Sequence, residues 1–271
     1  MAPVLGFLPS GSSVIVVPDG ALHGLNFETL PVDGPRRHYW IEDVEVQVAP
    51  ALSLLTEADS APAASPTLLV IGNPTSIDPQ FPPLRYASAE MSSIAGHFAQ
   101  ERTTSFQGEQ ASPAAYRTSG PDRFTLVHFA AHAAANVDSP LDSAVILAGS
   151  DRGYKLYARD VATMPLRAEL VTVSACRSAG ERAYTGEGLV GFAWAFLRAG
   201  ARRVVAGLWD VDDRSTAELM DALYARLAEG DLPPDALRQA KLAQLGRGGT
   251  TAKPYYWAPF QVFTVSVARR R

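Results

Sequence analysis

The chain has 271 residues, 47% of them hydrophobic and 19% charged, with a formal net charge of −4. That length suits one large α/β domain or two small ones, and the composition is that of a soluble globular protein. The acidic balance gives no general attraction to nucleic acid, no run of about 18 apolar residues spans a membrane, and a single cysteine excludes an intramolecular disulfide and Cys-rich zinc sites.

The segment Met1-Ala2-Pro3-Val4-Leu5-Gly6-Phe7 has no basic start before a long apolar core, so no secretory signal is read and a cytoplasmic, reducing compartment is expected. Ser13 to Val17 and Val44 to Val48 read as strands. Residues 61–66, small and proline-rich, read as a linker between an N-terminal part (1–60) and the main body (67–271). Thr67 to Gly72 is a continuous apolar run, the pattern of a strand buried on both faces. Tyr86 to Gln100 reads as a helix, Thr103 to Gln107 as a strand, and Ser112 to Arg117 as a helix opened by its serine. Arg123 to Phe129 is the next buried strand. Ala144 to Leu147 and Tyr154 to Tyr157 flank a polar, glycine-containing turn and read as a hairpin. Then come a strand ending before Cys176, a helix from Gly188 to Ala199, a strand from Arg203 to Leu208, helices from Asp213 to Glu229 and Pro234 to Leu245, and a closing strand from Phe260 to Val265. Alternation of this kind implies an α/β fold with a mainly parallel sheet covered on both faces, whose ligands bind outside the carboxyl ends of the strands.

Two reactive side chains stand at such ends. His132 follows one buried run and Cys176, 44 residues later, follows another. A thiolate attacks carbonyls well, and a neighbouring imidazole takes the thiol proton and returns it to the leaving amine. Backbone N–H groups at Ala133 and Cys176, beyond the strand ladders, are candidate donors to an oxyanion. No side chain that orients the imidazole is evident. A free cysteine is also a common small core hydrophobe, so the pair alone does not decide.

The segments around the pair resemble the CHAT domain, a caspase-like peptidase module related to caspases and separases. The resemblance rests on His128-Phe129-Ala130-Ala131-His132, Val173-Ser174-Ala175-Cys176, Gly186-Glu187-Gly188-Leu189-Val190-Gly191, Leu208-Trp209-Asp210-Val211-Asp212-Asp213 and Tyr255-Tyr256-Trp257-Ala258-Pro259-Phe260, in order over roughly residues 13 to 267. It implies a caspase-like three-layer sandwich, helices on both faces of the sheet, and a cysteine endopeptidase with Cys176 as nucleophile and His132 as general base and acid. It also implies a protein substrate, no cofactor, and a TPR or other regulatory region in the full-length protein. The family usually has glycine where Ala133 stands and often Glu-Thr where Arg177-Ser178 stand. Relatives that cut after Arg or Lys use an acidic group to hold that side chain, which makes Asp212 the first candidate here and Asp142 and Asp210 its rivals. The competing reading is a catalytically silent domain that binds a protein partner.

Three further patterns have structural readings. His128 and His132 have metal-ligand spacing only on a helix; on a strand they would stand about 13 Å apart, so His128 is expected in the core. The segment 186–191 fits a dinucleotide fingerprint, but its first glycine does not directly follow a strand, and its glycines are expected to let a helix pack closely on the sheet. Asp212 also suits a helix N-cap.

Overall fold

The computed structural model describes residues 7–58, 65–136, 138–150, 153–174, 187–210 and 212–268. Its centre is an eight-stranded sheet built from β1 (Ser13–Val16), β2 (Glu45–Val48), β3 (Leu68–Pro74), β4 (Thr103–Gly108), β5 (Leu126–Ala130), β9 (Leu170–Val173), β10 (Arg203–Gly207) and β11 (Phe260–Thr264). Their spatial order is β1-β2-β11-β10-β9-β5-β3-β4. Every neighbouring pair is parallel except β10 with β11. The five strands from β10 to β4 therefore run one way, and β11, β2 and β1 run the other. A second, three-stranded sheet holds β6 (Ala133–Ala134), β7 (Ala144–Ile146) and β8 (Lys155–Tyr157); β7 and β8 form the expected antiparallel hairpin.

The continuous apolar runs sit in the middle of the large sheet because both its faces are covered. Leu68, Leu69, Val70 and Ile71 of β3 are all fully buried, as strands between two helical layers must be. On one face lie α1 (Ala87–Gly96), α4 (Asp213–Glu229) and α5 (Pro233–Gly246), where Met91, Ile94, Leu219, Met220, Leu223 and Leu237 pack on Leu68, Val70 and Val205. Leu219, Met220, Leu223 and Leu227, at helical spacing along α4, are the buried stripe that the sequence predicts. On the other face α3 (Glu187–Ala199) sets Phe192, Phe196 and Leu197 against Leu69, Phe129 and Val171. The helix α2 (Pro113–Thr118) opens as expected: Ser112 accepts a bond from Ala115 N at 3.1 Å. The helix expected from Tyr86 to Gln100 is shorter, ending at Gly96 before a separate turn of 3₁₀ helix, Gln100–Arg102.

The N-terminal part shares this sheet through β1 and β2. It is also bonded to α5: Arg238 donates to the Ile41 carbonyl at 2.9 Å and the Glu42 carbonyl at 2.8 Å, and buried Lys241 is ion-paired with buried Glu28. Residues 61–64 of the expected linker lie outside the described residues. Among the described residues no helix is long and apolar enough to cross a membrane.

Within the glycine-rich pattern at 186–191, the packing of Gly191 is defined. Gly186 lies outside the described residues, and α3 begins at Glu187. A Cβ on Gly191 would meet the Cβ of Pro140 at 2.5 Å. Gly191 thus admits the Pro140–Asp142 turn against α3.

Candidate active site

His132 stands two residues beyond β5, at the carboxyl end of the five aligned strands, and is 5% exposed. The neighbouring strand β3 closes tightly on this point. A Cβ on Gly72 would lie 2.5 Å from the Ala130 carbonyl oxygen, so only glycine fits. Immediately afterwards the β3–β4 register shifts, and Asn73 takes a φ of 45°, a conformation that asparagine tolerates better than most residues. The chain then folds over the histidine. Asp78 organises this turn: its carboxylate accepts from Gln80 N at 3.0 Å and from the Tyr154 hydroxyl at 2.9 Å, and its carbonyl accepts from Phe81 N at 2.9 Å.

Two contacts from the turn reach the imidazole. The Phe81 ring lies 5.8 Å from the His132 ring, centroid to centroid. His132 Nε2 lies 2.6 Å from the Pro82 carbonyl oxygen. A carbonyl only accepts, so Nε2 carries the proton of this bond, and in the neutral ring Nδ1 is the basic nitrogen. A main-chain carbonyl from a loop 50 residues away, which the sequence did not reveal, thus helps to hold the imidazole. Because it is backbone, no residue type marks it; the only signal is the run Phe81-Pro82-Pro83. His132, Phe81, Pro82, Ile146, Leu147 and Tyr154 line a small cleft.

Cys176, with Arg177 and Ser178, lies outside the described residues. The chain is described as far as Ser174, which is buried and donates its N–H to the Phe129 carbonyl at 2.9 Å. β9 and β5 are paired with Val173 beside Phe129. Counted from that pair, Cys176 and His132 are each three residues further along the chain.

Ala133 begins β6. Val145 stands opposite it, and Ile146 N donates to the His132 carbonyl at 2.8 Å. That is the pattern of a non-hydrogen-bonded pair, so the Ala133 N–H is directed away from β7. Among the described residues only Asn73 has a left-handed φ without being glycine. Ala133 thus keeps an extended backbone, and the alanine brings no strain.

None of the three candidate carboxylates lines the cleft beside His132. Asp212 is the N-cap of α4, accepting from Ser215 N at 3.0 Å, and is exposed. Asp210 is exposed just past the end of β10. Asp142 is ion-paired with Arg159 and accepts from Ser139 Oγ at 2.7 Å. Trp257 is fully buried with its indole N–H on the Ala252 carbonyl, and Trp209, partly buried, donates to the Tyr255 carbonyl.

His128 is a core residue. It is fully buried, with Nε2 2.8 Å from Glu90 Oε1 and Nδ1 3.1 Å from the Tyr224 hydroxyl. Among the described residues no group of three or more His, Cys, Asp or Glu side chains is placed to hold a metal.

The sequence matches the family model of the CHAT domain over residues 1–265. No curated protein matches the chain in sequence. Among solved structures, the fold is similar to that of the separase–securin complex of Saccharomyces cerevisiae, with a TM-score of 0.56 and 13% identity over 89% of this chain and 14% of that one. It is also similar to the Arg-specific cysteine proteinase gingipain R, with a TM-score of 0.52 and 12% identity over 83% of this chain and 55% of that one. At such identities the likeness establishes the fold, a caspase-like sandwich, and this chain spans only part of each neighbour's length. With the family model covering nearly all of its residues, the chain belongs to the CHAT domain family.

Proposed function

We propose that this CHAT domain is a cysteine endopeptidase that cuts a protein partner, with Cys176 and His132 as its dyad. The observation that carries the reading is the bond from His132 Nε2 to the Pro82 carbonyl, which leaves Nδ1 as the nitrogen that takes a proton. His132 Nδ1 removes the thiol proton and the Cys176 sulfur bonds to the scissile carbonyl carbon. The carbonyl π electrons move to oxygen, beside the N–H groups of Ala133 and Cys176. One such donor is worth about 10²–10³ in rate. When the tetrahedral intermediate collapses, the C–N bond breaks and the imidazolium gives its proton to the departing amine. Water, deprotonated by His132, then attacks the thioester. The C–S bond breaks, the acid product leaves, and the thiol is restored.

Cleavage after a basic residue is part of this proposal, supported by the Arg-specific neighbour. Asp212 and Asp210, exposed beyond the end of β10, are the side chains proposed to meet that residue. Asp142, ion-paired with Arg159, is the third candidate. Replacing Cys176 by Ala removes the nucleophile. Cleavage of a peptide library by wild type, and none by Cys176→Ala, is the expected result; cleavage that survives in the variant excludes the mechanism.

A further inference from the structure

Beneath α1 and α4, buried polar side chains from the sheet and both helices are bonded to one another within an apolar cluster. Leu68, Val70, Leu126, Ala130, Leu170 and Val205 form a continuous buried cluster with the helices, and four buried polar side chains cross it. Glu90 of α1 meets His128 of β5 at 2.8 Å; His128 meets the Tyr224 hydroxyl of α4 at 3.1 Å; and Tyr224 donates to Thr172 Oγ1 of β9 at 3.1 Å. Each of the four residues is 3% exposed or less. The Tyr224 ring also meets the His128 ring edge-on, centroids 5.2 Å apart.

Such a chain is a poor way to gain stability. Apolar residues of similar volume serve a buried site as well or better, because polar groups must first be stripped of water. What it supplies is geometry, since hydrogen bonds demand direction where apolar contacts do not. The geometry concerns the two strands that lead to the dyad. His128 and Thr172 are register partners on adjacent strands, and Tyr224 reaches both. His132 and Cys176 each follow four residues after one member of that pair.

We infer that Tyr224 and His128 are positioning residues: with Glu90 and Thr172 they clamp β5 against β9 and so align the segments carrying His132 and Cys176. This inference rests on the peptidase reading. Neither residue touches the reacting atoms, so the clamp acts through the placement of the two strands. Misplacement of reacting groups by a fraction of an ångström is enough to slow chemistry without changing substrate binding.

The test uses Tyr224→Phe, which deletes the bridging hydroxyl and keeps the ring, together with Thr172→Val, which keeps the shape and loses the other end. Because Cys176 is the only cysteine in the chain, its alkylation by iodoacetamide across pH reads the dyad alone. In each variant kcat is expected to fall about tenfold at unchanged KM. Alkylation at pH 7 should slow a few-fold, with its profile moving toward that of an ordinary thiol. Thr172→Ser, which restores the hydroxyl, should restore both. A lowered melting temperature with unaltered kcat and alkylation profile would mean a merely structural network and overturn the inference. If the wild-type thiol already reacts like a free one, the peptidase reading itself falls, and this inference with it; the wild-type profile therefore separates the two failures.

Discussion

The two ends of the five aligned strands are built to opposite purposes. At the amino end the polar groups are spent on one another. Glu169, just before β9, is ion-paired with Arg203 and lies 3.1 Å from Arg202; Thr67 N and Thr125 N each donate to the other's hydroxyl, at 2.8 and 3.0 Å. Burial holds the Arg203 guanidinium below its ordinary pKa, against the opposing attraction of Glu169. At the carboxyl end β3 breaks its register, a main-chain carbonyl is turned toward an imidazole, an N–H is directed off a sheet edge, and Asp210 and Asp212 stand exposed. One end is closed by ion pairs and hydrogen bonds, and the other carries the residues proposed to do chemistry.

Substitutions at the two ends should therefore fail differently. The largest effect is expected at the closed end. Glu169→Ala leaves the fully buried Arg203 without its carboxylate and should cost about 3–5 kcal/mol of stability in denaturant unfolding. The alkylation profile of Cys176 should be unchanged below the transition; a changed profile would show that the ends are coupled. A smaller effect is expected from Asp212→Ala, which removes the cap of α4 and should cost about 1 kcal/mol. If Asp212 also meets the basic residue of the substrate, KM for Arg and Lys peptides rises as well, while stability loss alone leaves Asp210 as the recognition group.

The smallest effect concerns the turn over His132. The Gln80 N–H, and after it the Tyr154 hydroxyl, hold the Asp78 carboxyl below its ordinary value of 3.8. A depressed carboxylate pKa stabilises the fold fully above the unfolded value and ceases to do so as the pH falls through the folded one. Melting temperatures of wild type and Asp78→Asn should therefore differ above about pH 4 and converge in more acid solution. A constant difference across that range would mean that the charge of Asp78 does not hold the turn.

Much of the fold is legible along the chain because it depends on local patterns. The unbroken apolar run of β3, the stripe of α4 and the Ser112 cap each need only a few consecutive residues to declare themselves. The direction of β11 is not written in its sequence. Phe260 to Thr264 reads as a strand either way, and only its pairing with β10 makes it antiparallel. The candidate site divides along the same line. His132 and Cys176 stand out as reactive types after buried runs. Nothing in the sequence pairs Asp142 with Arg159, 17 residues on, yet the two are ion-paired.

What the sequence determined by itself was therefore the strands of the large sheet and the helices that cover it, the reactive residue types and the family, because hydrophobic periodicity and ordered motifs are properties of short stretches. Tertiary structure alone decided which groups face which. The Pro82 carbonyl reaches His132 across 50 residues, and Tyr224 reaches His128 across 96. A hydrogen bond depends on distance and direction in space, and neither has any trace in residue order.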